Sequence, residues 1–158
     1  MAYYNNSGKN QRSGENSNFS RKTTVKKIVN PITLENYVDI AEENIKSLVT
    51  YGRNGNKLIS ISTSKIRYIF SMVANVYNKE VLNNSNDMLE STKAGLQTLR
   101  VKLVYEAGRY PNETGTFIDK CNILEYLKNI NNDKKEFLLF FHYFEALVAY
   151  HRFFGGNK

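Results

Sequence analysis

The sequence predicts an all-α protein: a compact bundle of about five helices behind a flexible, basic N-terminal tail. Three observations carry that expectation. Apolar residues recur every three or four positions over long segments, the mark of one buried helix face. Hydroxyl or carboxyl side chains stand where several of those segments begin, as helix caps do. Nowhere is there a sustained period-two alternation of the kind a half-buried strand would show.

The first helix is expected over about residues 32–49, opened by Asn30-Pro31. Leu34, Tyr37, Val38, Ala41, Ile45 and Leu48 form its apolar stripe, and it stops near Tyr51-Gly52 before a polar loop, RNGN (53–56). The second lies within ISTSKIRYIFSMVANVY, with Ser62 or Thr63 as N-cap and Ile66, Ile69, Phe70, Val73, Val76 and Tyr77 on one face. NNSN (83–86) ends it. A third helix is expected from Asp87 to Arg109, with Leu89, Leu96, Leu99, Leu103 and Ala107 turned inward. Gly95 costs it about 1 kcal/mol against alanine. In its KLVYEAGRY segment (102–110), Leu103, Val104 and Tyr105 all read as interior residues. PNETG (111–115) is a turn, and Thr116 with Asp119 resembles a capping box for a fourth helix to about Lys128. Asp133 and Glu136 repeat that relation for a fifth, running to Phe154 and stopped by Gly155-Gly156.

That last helix holds eight of the chain's twenty aromatics: Phe137, Phe140, Phe141, Tyr143, Phe144, Tyr150, Phe153 and Phe154. Rings on every side mean either a helix central to the bundle or a surplus face that meets another subunit.

At 158 residues the chain fits one domain, with residues 1–30 as a mobile tail and 31–158 as the helical body. Cys121 is the only cysteine, so no internal disulfide forms and a reducing cytoplasm is the expected setting. The opening MAYYNNSGKNQRSG lacks the apolar core of a signal peptide. The run FLLFFHYFEALVAY (137–150) contains His142 and Glu145 and falls short of the ~20 apolar residues a membrane span needs. The net charge of +7 is unevenly spread: residues 1–30 carry +5, 31–50 carry −3, 51–110 carry +5 and 111–158 balance.

Enzyme chemistry finds little footing. His142 and His151 are nine residues apart, on opposite sides of one helix, and no HExxH, CxxC, P-loop or GxGxxG occurs. No cofactor or metal is implied. Glu106 is flanked by Lys102 and Arg109, so ion pairing suits it better than general-base work.

The cations invite two readings. Lys102, Glu106 and Arg109 share one helix face, where the acid can bridge two basic arms in a solvated stripe. Arg100 lies on another side, and Lys65 and Arg67 project from the two edges of the second helix, with Arg53 and Lys57 just ahead. Such arms can snorkel over the rim of the core. They also suit phosphate oxygens, which position a nucleic-acid backbone without reading its sequence. The absence of tryptophan and of RGG, RNP or zinc-knuckle patterns argues against base-by-base recognition.

STSKIR (62–67), KLVYEAGR (102–109), YFEALVAYHRFFGG (143–156) and ENYVDIAE (35–42) together resemble the small helical subunit of the type III-A CRISPR interference (Csm) complex. The resemblance spans about residues 31–158 in order and spacing, and leaves the tail unexplained. It implies a non-catalytic RNA-binding subunit in antiviral defence, stacked in several copies beside the backbone subunits along the guide–target RNA duplex. The implied partners are target RNA, the guide–target duplex, other copies of the chain, and the backbone and large subunits. By motif, the RNA-binding residues it implies are Lys65, Arg67, Lys102, Arg109, Arg100 and Arg152, with Lys57 added from a loop that carries no matching motif. A helical adaptor that makes only protein contacts within a ribonucleoprotein is the alternative.

Overall fold

A computed structural model describes residues 29–155; of the expected tail over residues 1–30, residues 1–28 lie outside them. The order is α1 (Tyr37–Lys46), β1 (Val49–Tyr51), β2 (Lys57–Ile59), α2 (Thr63–Glu80), α3 (Glu90–Arg109), a π-helical turn (Pro111–Gly115), α4 (Thr116–Lys120), α5 (Ile123–Asn129) and α6 (Lys134–Phe153). The all-α class holds. Several local expectations shift.

The first helix starts five residues later than its stripe suggested, at Tyr37 rather than 32. Thr33 N–H donates to Asn36 Oδ1 at 2.6 Å and Glu35 N–H to Thr33 Oγ1 at 3.3 Å, so short polar side chains hold the lead-in as a turn. After α1, the chain forms a small antiparallel pair with Val49 opposite Ile59 and Tyr51 opposite Lys57. Strands of three residues are too short to show alternation. Gly55 (φ 73°) supplies the left-handed residue their connection needs.

The third helix begins at Glu90, and its cap comes from outside. The Glu80 carboxylate, fully buried at the end of α2, accepts from Leu89 N–H at 3.1 Å and from the Asn83 amide at 2.8 Å, with Lys134 Nζ 3.7 Å away. Burial pushes the Glu80 carboxyl up, but the Thr92 hydroxyl, Asn83, the Leu89 N–H and Lys134 outweigh it and hold it below the usual carboxylate range. Lys134 also donates to the carbonyls of Asn83 (2.6 Å) and Ser85 (2.8 Å), tying the α2–α3 connection to α6.

PNETG winds into a π-helical turn. A Cβ on Gly115 would sit 3.1 Å from the Ala107 carbonyl oxygen, so glycine lets the turn fold back on α3. The expected fourth helix divides in two at Asn122, which is left-handed (φ 52°). There the Cys121 carbonyl accepts from buried Tyr143 Oη at 2.8 Å. Thr116 donates to the Pro111 carbonyl at 3.2 Å instead of forming the expected capping box. At α6 the expected cap does form: Asp133 accepts from Lys135 N–H at 2.7 Å and Glu136 N–H at 3.4 Å.

Helix α6 packs against α1, α2 and α5, while α3 packs against α2, α5 and the π-helical turn. The ring-crowded helix is therefore central, which answers the first of the two alternatives. Phe137, Phe140, Phe141, Tyr143 and Phe144 are buried, and Phe141 stacks on Tyr77 with ring centres 3.6 Å apart. Tyr143 Oη also accepts from the Asn44 amide at 2.9 Å, which fastens α1 to the same hub. Near the far end, buried His151 donates from Nε2 to the Ile61 carbonyl at 2.8 Å. Burial pushes its pKa down.

Candidate nucleic-acid interface

The α2–α3 pair owes its closeness to one residue. A Cβ on Gly95 would lie 3.2 Å from Val76 Cγ1, so glycine lets the helices approach where even a methyl group would force Val76 to give by a few tenths of an ångström. What looked in sequence like a weakness of α3 is a packing requirement.

At one end of this seam stands Lys65. Its Nζ lies 3.0 Å from Glu106 Oε2, with the two side chains only 19% and 10% exposed. The same ammonium sits 3.9 Å from the centre of the Tyr110 ring and 5.7 Å from that of Tyr68. Glu106 was expected to bridge Lys102 and Arg109 on an outer stripe; instead it turns inward and pairs across to α2. The helical spacing was right, but Glu106 occupies the row that faces α2, and only tertiary packing reveals that partner. Ser62 adds a second acid contact nearby: its N–H and Oγ donate to Glu113 Oε1 at 3.0 and 2.8 Å, which brings a carboxylate to the positive end of α2.

With Glu106 engaged, Lys102 and Arg109 have no acid partner among the described residues. Both are exposed. Lys102 lines a groove of 340 Å³ between α2 and α3, and the Arg109 guanidinium lies 5.3 Å from the Tyr110 ring centre. Lys79, which sequence reasoning passed over, lines the same groove from α2. The signal was present, since residues 65, 72 and 79 fall on one helical row.

The interior assignment of KLVYEAGRY needs correcting. Of its three residues expected inside, only Leu103 is buried; Val104 and Tyr105 are 52% and 60% exposed, and neighbouring Val101 70%. Leu89, also expected inside, lies exposed at the cap. Helix α3 is thus apolar on two opposite sides, Leu96, Leu99 and Leu103 within and Val101, Val104 and Tyr105 without. Its cations occupy the flanks between.

The remaining expected contacts are dispersed. Arg100 lies on the other flank of α3, beside Leu127 and Lys128. Arg67 projects from the edge of α2 opposite Lys65, on the row of Phe70 and Tyr77 that stacks against α6. Lys57 is exposed on β2 and Arg152 in the last turn of α6. The seam therefore gathers Lys65, Lys102 and Arg109 and leaves Lys57, Arg67, Arg100 and Arg152 apart. Among the described residues, no group of three or more His, Cys, Asp or Glu could hold a metal ion. No described helix is long and apolar enough to cross a membrane.

The chain is similar to proteins of known family. It is 38% identical over 126 residues to the CRISPR system Cms protein Csm2 of Streptococcus thermophilus, covering 80% of this chain and 97% of that one. It is 35% identical over 118 residues to the protein of the same name in Enterococcus italicus, covering 73% and 84%. The Mycobacterium tuberculosis protein of that name is 30% identical over 101 residues, 64% of this chain and 78% of that one. A family model described as Csm2 Type III-A matches residues 42–157, which includes every helix from α2 to α6 and the second half of α1. On that match, and on the helical body that carries it, the chain belongs to the Csm2 Type III-A family.

Proposed function

We propose that this chain is a non-catalytic subunit of a type III-A CRISPR effector in antiviral defence, stacking in several cytoplasmic copies along the guide–target duplex. It grips the target-strand backbone through lysine and arginine. One observation carries the reading: Lys102 and Arg109 stand exposed at the seam without acid partners among the described residues, while Lys46, Lys65, Lys93, Lys128 and Lys134 each have one. Unpaired cations on rigid helices suit phosphates, and a subunit serving any target sequence should touch the backbone alone. Lys57, Arg67, Arg100 and Arg152 are exposed cations of the same kind and complete the proposed contact set. Lys65 supports the field of the site while Glu106 holds its arm.

Stacking requires an apolar surface, and the structure favours α3 over the buried α6 for it. Val101, Val104 and Tyr105 form an exposed ridge flanked by Arg100 on one side and Lys102 and Arg109 on the other. The acidic outer face of α1, with Asp39 and Glu43 exposed, is a complementary surface for a neighbouring copy. The ridge equally favours the second reading, an adaptor that contacts only protein.

Salt titration of target-RNA binding by the assembled complex separates the two. With Arg109→Ala, affinity should fall alike for unrelated sequences and the salt slope should drop by about one contact. The adaptor reading instead predicts disrupted assembly in the absence of RNA. Binding and slope both unchanged would remove Arg109 from the site.

A further inference from the structure

We infer that the groove between α2 and α3 is the seat of the RNA backbone, and that Lys79 is an RNA contact paired across it with Lys102. This rests on the RNA-binding reading above and assigns it a place. Asn75 and Lys79 wall the groove from α2, and Ser91, Thr98 and Lys102 wall it from α3. Two features fit a polyanion. No acid lines the groove, although acids occur elsewhere on both helices. Its polar groups are the two ammonium ions, the neutral donors Asn75 and Ser91, and Thr98, whose hydroxyl donates to the Ala94 carbonyl at 3.1 Å; the ammonium ions, the amide and the Ser91 hydroxyl are the groups that can donate to phosphate oxygens.

The two lysines are also distinguished by what they lack. Glu80, next in sequence to Lys79, is turned inward to Leu89, Asn83 and Lys134. Glu106, one turn beyond Lys102, is taken by Lys65. The two acids best placed to neutralise the groove are thus both committed elsewhere. Lys79 and Lys102 face the groove with no acid partner among the described residues.

The test uses the assembled complex and two unrelated target RNAs. Lys79→Ala should flatten the salt slope by about one contact, as Lys102→Ala should, and the double variant by about two. Thr98→Leu removes no charge but fills the groove; it should weaken RNA binding several-fold with the slope kept. Thermal melting of each variant checks that the fold stands. If Lys79→Ala and Thr98→Leu bind like the parent while joint replacement of Arg67, Arg100, Arg109 and Arg152 abolishes binding, the groove is overturned and the RNA reading survives. If that joint variant also binds normally, both fall. If Lys79→Ala breaks assembly without RNA, the groove holds a protein partner and the inference is wrong.

Discussion

Glu106 shows how one side chain can be read correctly for chemistry and wrongly for partner. Its neighbours in sequence offered two cations, yet it turned to a third on another helix. Removing it leaves the Lys65 ammonium mostly buried with only the Tyr110 and Tyr68 rings for company. Glu106→Ala should therefore cost about 1–3 kcal/mol in urea denaturation. Lys65→Met, which retains the stem, should cost less than Lys65→Ala because packing of the alkyl chain is kept. His151 makes a pH prediction. Its folded pKa is depressed by burial, so the unfolded chain takes up the proton first. Stability should be full above about pH 6.5, the unfolded value, and fall as pH drops below it. His151→Asn should abolish most of the difference between urea midpoints measured at pH 7.5 and 5.5. A wild-type midpoint that is flat over that range would show that His151 protonates without leaving its site.

Among the helices, α2 and α6 were the most legible, because long one-sided stripes and genuine caps at Ser62 and Asp133 announced them. The start of α3 was not, since its capping group arrives from Glu80, nine residues upstream of Leu89. The break between α4 and α5 was equally hidden: a buried Tyr143 hydroxyl claims the Cys121 carbonyl across twenty-two residues. Helix α3 misled most, as apolar residues on both its faces gave no sign of which side was core. Glu80→Gln retains the shape but removes the charge that faces Lys134, so it should lower stability by about 1–2 kcal/mol at neutral pH. Its depressed pKa makes that contribution present above about pH 4.3 and lost as pH falls further. Amide exchange at Leu89 and Thr92 should quicken in the variant if the carboxylate is what fixes this helix end; unchanged exchange would assign the cap to Asn83 or Thr92.

For the whole molecule, the sequence carried the class and the family, both of which rest on features spread along the chain. It did not carry the arrangement of the cations. Lys65 and Arg67 look adjacent in STSKIR but leave α2 from opposite edges, and Arg100 and Lys102 separate in the same way on α3. Lys79 and Lys102, far apart in the chain, meet across one groove. Which charges act together is decided by helix packing, and that is invisible in a string of residues. The closeness imposed at Gly95 has a further consequence. Because the α3 backbone rests there directly against the Val76 side chain, the width separating the two lysine rows is set by that single contact. The crossing works as a fixed gauge: widening it with Gly95→Val should splay the rows and loosen the grip on a polyanion even with every charge still in place.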